Sequence, residues 1–219
     1  MHVVVFAGGT FRPGSACNEA LASADLIIAA DKGAVTAIQQ GYPPDIIVGD
    51  FDSLPPSLQA HAPELIRVAA EKDETDTELA LMTARTHGAT RITLLGGLGG
   101  ARFEHTVGNI LLIADPDFAS IDLRLADGPS LCTVVRGPGE LHIEGEPGDL
   151  FSLFPLTMSA EGVRTQNLYY PLKGETLTFG KPRGISNVLT ATQATVTLEA
   201  GILLAIHTRQ AELQENPEA

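Results

Sequence analysis

The sequence predicts an α/β domain with a mainly parallel sheet, followed by an all-β sandwich domain. Through about residue 130, short runs of β-branched and apolar residues alternate with longer helical patterns. After about Arg136 the helical periodicity disappears, and Gly and Pro residues separate short apolar runs at regular intervals. The first pattern is typical of α/β folds and the second of sandwiches. We therefore predict an α/β domain over residues 1–132, a sandwich over 133–210 and a frayed tail over 211–219.

Six apolar runs predict the strands of the first domain: residues 3–7, 26–30, 46–48, 65–68, 92–95 and 121–125. Runs that are apolar throughout are typical of strands buried on both faces of a sheet. The segments between them are mostly ten or more residues long, which leaves room for crossover connections. A mainly parallel sheet follows.

Two helices can be predicted within this domain. Thr75 and Glu78 have the spacing of a capping box, so a helix should begin at Asp76, and it should end at Gly88. A second helix should run over about residues 103–114, where apolar residues recur on one face. That apolar stripe consists of Phe103, Val107, Ile110, Leu111 and Ala114, and it leaves Arg102, His105, Thr106 and Asn109 outside it.

In the second half, apolar runs at residues 150–154, 176–179, 195–198 and 202–206 predict strands of an antiparallel sandwich. Glycines and prolines mark the turns between them. The polar segment from Gln210 onwards, which ends in an acidic stretch with a proline, predicts the frayed tail.

Composition narrows the possible classes of function. The 219 residues are 44% hydrophobic and 19% charged, as in folded globular proteins. A formal net charge of −13 argues against binding to nucleic acids or anionic membranes, because both depend on clustered Lys and Arg. No run reaches the roughly 20 apolar residues of a membrane span, and the first residues lack the basic region of a signal peptide. We expect a cytoplasmic protein.

Four aspartates lie at the ends of three predicted structural elements. Asp31 follows strand 26–30, Asp50 and Asp52 follow strand 46–48, and Asp76 opens a helix. Ligands of open parallel sheets bind beyond the carboxyl ends of the strands, so these side chains should lie close together. Mg²⁺ is typically held by one or two carboxylates together with substrate phosphate. The pattern predicts a magnesium site with a nucleotide as co-ligand, although a single acidic loop residue is usually part of a solvated turn or a helix cap.

A glycine-rich loop, residues 96–100, lies between a predicted strand and a predicted helix. Such a loop brings backbone N–H groups close to an anion, and Arg102 adds a planar set of donors that matches phosphate oxygens. The loop fits neither the dinucleotide-binding nor the Walker A fingerprint. His105 could contact phosphate or serve the helix, and Lys32 and Lys72 could contact phosphate or balance local charge.

Five segments in this order resemble the thiamine pyrophosphokinase family. They are residues 31–34, 44–53, 72–76, 96–105 and 184–187, which together span nearly the whole chain. The resemblance implies transfer of the pyrophosphoryl group of ATP to the hydroxyl of thiamine, which gives thiamine diphosphate and AMP. It also implies a homodimer whose first domain binds ATP and Mg²⁺ and whose second domain serves thiamine binding and dimerisation.

The resemblance also implies roles for single residues. Asp50, Asp52, Asp76 and Arg102 would be catalytic, and the three aspartates with Asp31 would hold Mg²⁺. Ser186 and Asn187 would contact thiamine. The residues that would bind ATP are Asp31, Lys32, Lys72, Asp73, Gly97, Gly99, Gly100, Arg102, His105 and Thr106.

The chain departs from the family pattern in two places. Glu104 stands where the family usually has Asp before the His, and Lys32 replaces a frequent Gly. Two other enzymes stay open: a pyrophosphokinase for another hydroxymethyl heterocycle such as a pterin, and a metal-dependent sugar-nucleotide transferase. A non-catalytic nucleotide or thiamine sensor is a further alternative, and the general base is unassigned.

Overall fold

The computed structural model describes residues 1–51, 55, 62–69 and 71–215. The chain forms two compact units, Met1–Gly128 and Pro129–Ala219. The division after Gly128 lies a few residues before the predicted domain boundary at residue 132. The predicted domain ranges stay predictions.

The first unit contains a parallel sheet whose six strands match the six predicted runs to within one or two residues. The strands are β1 (His2–Phe6), β2 (Leu26–Ala30), β3 (Ile46–Gly49), β4 (Glu64–Arg67), β5 (Arg91–Leu95) and β6 (Asp122–Asp127). All five pairings between neighbouring strands are parallel. The residues of β1 are all buried, as predicted for a strand covered on both faces.

The order of these strands is β6-β5-β1-β2-β3-β4. The chain moves outward from β1 to β4 and then returns to add β5 on the other side of β1. The strand order therefore reverses between β1 and β5. In open α/β sheets, a crevice for ligands forms beyond the carboxyl ends of the strands at such a point.

The described part of this unit contains four helices: α1 (Ser15–Ala22), α2 (Gly33–Gln39), α3 (Asp76–Thr86) and α4 (Phe103–Leu112). A 3₁₀ turn (Pro116–Phe118) follows α4. Helix α3 packs on β1, β2 and β3. Its first residue is Asp76, and the side chain of the N-cap Thr75 accepts a hydrogen bond from the Glu78 N–H at 3.1 Å, which confirms the predicted start.

The apolar stripe predicted for α4 is largely exposed. Phe103 is 77% exposed and Leu111 is 55% exposed, whereas Asn109 is the buried residue of the helix. The periodicity correctly identifies the helix and its apolar face. It cannot tell whether another part of the fold covers that face. The buried Asn109 instead donates from its side-chain amide to the Gly97 carbonyl.

The second unit is an antiparallel sandwich, as the sequence predicts. One sheet has the order β12-β9-β14-β7 and the other β11-β10-β13-β8. Buried residues from both sheets, such as Phe151 of β9 and Val196 of β13, share one hydrophobic core. The strands are β7 (Ser130–Arg136), β8 (Gly139–Glu144), β9 (Leu150–Pro155), β10 (Ser159–Gln166), β11 (Lys173–Thr178), β12 (Asn187–Val188), β13 (Gln193–Leu198) and β14 (Ile202–Thr208).

The segment after β14 begins with a short helix, α5 (Gln210–Glu215), where the sequence predicts a frayed tail. The carboxylate of Asp149 accepts a hydrogen bond from the Gln210 N–H at 3.1 Å, which satisfies one donor at the start of this helix. Across the described part of the chain, the helices are too short or too polar to cross a membrane.

Candidate active site

A cavity of about 460 Å³ lies in the first unit at the point where the strand order reverses. Ligand pockets commonly measure about 300–1,000 Å³, so its size suits a small molecule. The lining comes from the segments after β1, β2, β3 and β5 and from the starts of α3 and α4. It consists of Gly8, Gly9, Ala30, Asp31, Lys32, Asp50, Thr75, Asp76, Thr77, Gly97, Gly99, Gly100, Ala101, Arg102, His105 and Asn109.

Asp31 stands directly after β2 in a strained conformation, with φ at +42°. Its Oδ1 atom is buried and has no hydrogen-bond partner among the described residues. Burial raises the pKa of Asp31, and the nearby carboxylates of Asp76 and Asp50 raise it further. The carboxylates of Asp76 and Asp50 are therefore close enough to Asp31 to act on its charge, and the nearby Lys32 offsets their effect only in part.

The segment after β3 carries the second predicted carboxylate. Asp50 lines the cavity, and its backbone carbonyl accepts a hydrogen bond from Arg67 at 3.1 Å. The next residue, Phe51, has φ at +64°, and its buried ring lies 4.7 Å from the guanidinium carbon of Arg67. A bulky residue in this conformation is strained, and Arg67 anchors it from the neighbouring strand. Asp52, the other predicted carboxylate of this segment, lies outside the described residues.

Asp76 forms an ion pair with a residue of its own predicted motif. The Nζ atom of Lys72 lies 2.5 Å from Asp76 Oδ1, and the Lys72 side chain is mostly buried. In the ranges that the structure describes, no three His, Cys, Asp or Glu side chains are arranged to hold a metal ion. The ammonium group of Lys72 lies next to the carboxylate of Asp76 and supplies a positive charge there.

The predicted glycine loop lies at the cavity, between β5 and α4. Gly97, Gly99 and Gly100 line the cavity, together with Arg102 and His105. The Nε atom of Arg102 donates to Glu104 at 2.7 Å, and both side chains are exposed. This contact lowers the pKa of Glu104, mainly through the hydrogen bond from Arg102. Glu104 thus contacts the arginine that the sequence predicts to bind phosphate.

The cavity does not gather every residue predicted to bind ATP. Asp73 and Thr106 lie outside its described lining, and Lys72 contacts it through Asp76. Gly8, Gly9 and Asn109 line it without having been predicted. The position of Gly8 and Gly9 directly after β1 could have identified them, since that strand borders the reversal of strand order. Nothing in the sequence around Asn109 indicates its burial.

The two residues predicted to contact thiamine lie in the second unit, after β11. Ser186 is exposed, has φ at +61°, and donates from its backbone N–H to Ser152 Oγ at 3.1 Å. Asn187 is buried, and its side chain bonds to the backbone of Tyr170 through both the amide nitrogen (2.7 Å) and the oxygen (2.9 Å). Asn187 thus holds the segment that carries the exposed rings of Tyr169 and Tyr170.

Another cavity, of about 540 Å³, lies on the second unit. Its lining includes Glu144, Glu146 and Asp149, and it is larger than the cavity of the first unit. Asp149 is buried, yet it accepts hydrogen bonds from the Glu146 and Gln210 N–H groups and contacts His207 Nε2 at 2.8 Å. Its oxygens are therefore satisfied within the fold, unlike that of Asp31, and the smaller cavity is the better candidate for the active site.

Comparison with known proteins identifies relatives that cover both units. Residues 17–125 match the family model of the thiamin pyrophosphokinase catalytic domain, and residues 140–203 match that of the thiamin pyrophosphokinase vitamin B1 binding domain. The thiamine pyrophosphokinase of Bacillus subtilis is 33% identical over 186 residues, which cover 83% of this chain and 86% of that protein.

Solved structures show the same similarity. The crystal structure of thiamine pyrophosphokinase from Bacillus subtilis aligns with a TM-score of 0.83 at 30% identity, covering 95% of this chain and 99% of the other. A thiamin pyrophosphokinase family protein from Enterococcus faecalis also gives a TM-score of 0.83, at 26% identity and with the same coverage.

Proposed function

Because this chain belongs to the thiamine pyrophosphokinase family, we propose that the cavity of its first unit binds ATP and that the protein transfers pyrophosphate to thiamine. The observation that carries the proposal is the convergence of Asp31, Asp50 and Asp76 with the glycine loop around one cavity. Metal-binding carboxylates and a phosphate-binding loop can bind one nucleotide only when they line the same cavity. The three aspartates and the glycine loop line the same cavity here.

In the proposed reaction, the hydroxyl oxygen of thiamine attacks the β-phosphorus of ATP. A bond forms between that oxygen and the β-phosphorus, the bond to the α-phosphate oxygen breaks, and AMP leaves with the bonding electrons. The proton of the hydroxyl passes to a base that we leave unassigned. The protein contributes mainly the alignment of the reacting groups and the stabilisation of charge on the phosphate oxygens.

We propose that Asp31, Asp50, Asp52 and Asp76 hold Mg²⁺ together with the substrate phosphates. Mg²⁺ prefers oxygen ligands and usually shares them between protein and substrate phosphate, so the protein side chains need not form a complete site by themselves. The buried Oδ1 atom of Asp31, which has no hydrogen-bond partner among the described residues, and the effect of the Asp76 and Asp50 charges on Asp31 support this assignment. Bound there, the ion would neutralise negative charge on the phosphates.

The cationic side chains around the cavity would receive the phosphate oxygens. Arg102 and His105 line the cavity at the start of α4, and Lys32 lines it after β2. Arg102 can turn from the exposed Glu104 to a phosphate at small cost, since exposed ion pairs contribute only about 0–1 kcal/mol. We propose that Arg102 stabilises charge on the transferred group and that Lys72, Asp73 and Thr106 support ATP binding from the edge of the site.

For thiamine, we propose a site in the second unit that includes Ser186 and Asn187. Support comes from the match of this unit to the vitamin B1 binding domain and from the exposure of Ser186. The cavity beside Asn187 measures only about 40 Å³, which is too small to enclose thiamine by itself. Asn187 would therefore act by holding the backbone of Tyr170.

We also propose that the protein is a homodimer. Apolar side chains of both units are exposed, among them Phe103, Leu111 and Tyr169, and association would remove them from water. Sedimentation velocity should give twice the chain mass of 23.0 kDa. A monomer at micromolar concentration would contradict this part of the proposal. The cytoplasmic location stays a prediction from the sequence.

The function can be tested with a panel of acceptors in the presence of ATP and Mg²⁺. We expect thiamine to yield AMP, and a hydroxymethyl pterin to yield none above background. The similarity over both units does not favour the pterin enzyme or the sugar-nucleotide transferase. Faster AMP release with the pterin, or nucleoside diphosphate release from a sugar nucleotide, would contradict the proposal.

A further inference from the structure

The glycine loop after β5 is bonded to the loop after β1. The N–H groups of Gly9 and Thr10 donate to the carbonyl oxygens of Gly96 and Leu98, at 2.9 and 2.8 Å. The hydroxyl of Thr10 accepts a hydrogen bond from the Gly100 N–H at 3.1 Å. The two loops on either side of the reversal of strand order are therefore one hydrogen-bonded unit.

The loops approach each other so closely that two positions require glycine. A Cβ atom on Gly9 would lie 2.5 Å from the carbonyl oxygen of Gly96, and one on Gly99 would lie 2.8 Å from Thr10 Oγ1. Gly99 also has φ at +69°, which side chains rarely adopt. A larger residue at either position would push the two loops apart.

Asn109 of α4 also bonds to the glycine loop. Its amide nitrogen donates to the carbonyl oxygen of Gly97 at 2.7 Å, and the side chain is only 6% exposed. The carbonyl oxygens of residues 96, 97 and 98 thus all accept hydrogen bonds from groups outside the loop. Each of these bonds sets the orientation of one peptide group.

The orientation of these peptide groups decides whether the loop can bind an anion. A peptide N–H attracts phosphate and a carbonyl oxygen repels it, so rotation of one peptide unit exchanges attraction for repulsion. Glycine residues allow such rotations easily because they lack a side chain. A loop that is already held in the binding conformation does not have to be ordered when the nucleotide arrives.

We propose that Thr10 and Asn109 are positioning residues that hold the glycine loop in its phosphate-binding conformation. The inference rests on the proposed function, because it takes the phosphates of ATP as the ligand of the loop. Thr10 lies outside the described lining of the cavity and acts through Gly100. Asn109 acts through the carbonyl of Gly97.

The role of the Thr10 hydroxyl can be tested with two substitutions that separate the shape of the side chain from its hydrogen bonding. Thr10→Val keeps the branched shape without the acceptor, and Thr10→Ser keeps the acceptor. Calorimetric titration with ATP and Mg²⁺ should show a Kd about tenfold higher for Thr10→Val, the usual effect of one hydrogen bond. The KM for ATP should rise with it, the KM for thiamine should stay within about twofold, and Thr10→Ser should bind ATP nearly as the unaltered protein does.

Asn109→Leu supplies a second, independent variant. It keeps the approximate size of the side chain and removes the amide donor to the Gly97 carbonyl, without adding a charge to the cavity that Asn109 lines. We expect an ATP Kd about tenfold higher while circular dichroism shows an unchanged fold. A folded Asn109→Leu protein that binds ATP normally would overturn the role of Asn109.

The outcomes separate this inference from the proposed function. An unchanged ATP Kd in Thr10→Val, or an equal loss in Thr10→Ser, would overturn the role of Thr10. An unaltered protein that binds ATP but forms no thiamine diphosphate would overturn the proposed function. The positioning role would then still be supported if Thr10→Val alone weakened ATP binding.

Discussion

At the scale of single residues, Asp31 shows most clearly that the candidate site contains features that destabilise the fold. Its carboxylate is partly buried next to those of Asp76 and Asp50, its Oδ1 atom lacks a partner among the described residues, and its backbone is strained. Backbone strain and charged groups in unfavourable surroundings are typical of functional sites. The arrangement disfavours further negative charge and favours a cation.

Arg102→Ala should impair turnover far more than folding. If Arg102 stabilises charge on the transferred group, its loss should lower kcat/KM by about 100-fold, which corresponds to on the order of 3 kcal/mol. Arg85→Ala is a suitable control because Arg85 pairs with Asp117 away from the cavity lining. A loss below about threefold in Arg102→Ala would contradict the catalytic role.

Individual site residues differ in how far the sequence predicts them. Asp31, Asp50 and Arg102 are predictable because they occupy strand ends and a glycine-rich loop, where chemistry and position coincide. Asn109 and Thr10 are not, because their importance depends on backbone groups that only the fold brings near them. The ion pair of Lys72 with Asp76 is local, and its i, i+4 spacing could have suggested it.

At the scale of elements, the sequence predicts strands and helices better than the surfaces that cover them. Strand β2 is predicted to the residue because its apolar run is uninterrupted. Strand β10 is missed because only Ala160, Val163 and Thr165 are buried and most of its other residues are polar, so no apolar run marks it. For α4, the sequence predicts the helix and its apolar stripe, but it does not show whether another part of the fold covers that stripe, which is largely exposed.

The N-cap of α3 links the stability of an element to the site, because α3 begins with Asp76. Thr75→Ala removes the acceptor for the Glu78 N–H. We expect a loss of about 1 kcal/mol and a Tm lower by roughly 2–4 °C, measured by calorimetry. Thr75→Ser should recover most of the loss, and an unchanged Tm in Thr75→Ala would show that the cap contributes nothing.

At the scale of the whole molecule, the net charge of −13 acquires a partial explanation. A few carboxylates, including Asp31, Asp50 and Asp76, surround the proposed nucleotide site. Many others lie on the surface, where they favour solubility. The excess of negative charge also suits a cationic acceptor such as thiamine.

The stability of the whole molecule should fall in mild acid, partly because of His2. Burial lowers the pKa of His2, whose ring contacts Ser23 and Thr93. Below the ordinary value of 6.5 the unfolded chain binds a proton that the folded chain does not, so the stabilisation present above pH 6.5 is lost as the pH falls.

Urea denaturation at pH 8, 7, 6 and 5 can measure this effect. One proton contributes at most about 1.4 kcal/mol per pH unit to the free energy of unfolding. We expect a smaller decline below pH 6.5 in His2→Gln, even though this variant is less stable at pH 8. Equal slopes in both proteins would rule out His2 as a source of the acid sensitivity.

The proposed transfer of pyrophosphate at the cavity of the first unit is tested most directly by comparing Asp50→Asn with the unaltered protein in ATP, Mg²⁺ and thiamine. Asp117→Asn serves as the matched control, since Asp117 is exposed and outside the cavity lining. We predict equal amounts of AMP and thiamine diphosphate from the unaltered protein and from Asp117→Asn, and neither product from Asp50→Asn with its circular dichroism spectrum unchanged. Normal turnover by folded Asp50→Asn would contradict the proposed role of Asp50. Formation of ADP in place of AMP by the unaltered protein would contradict the proposed reaction.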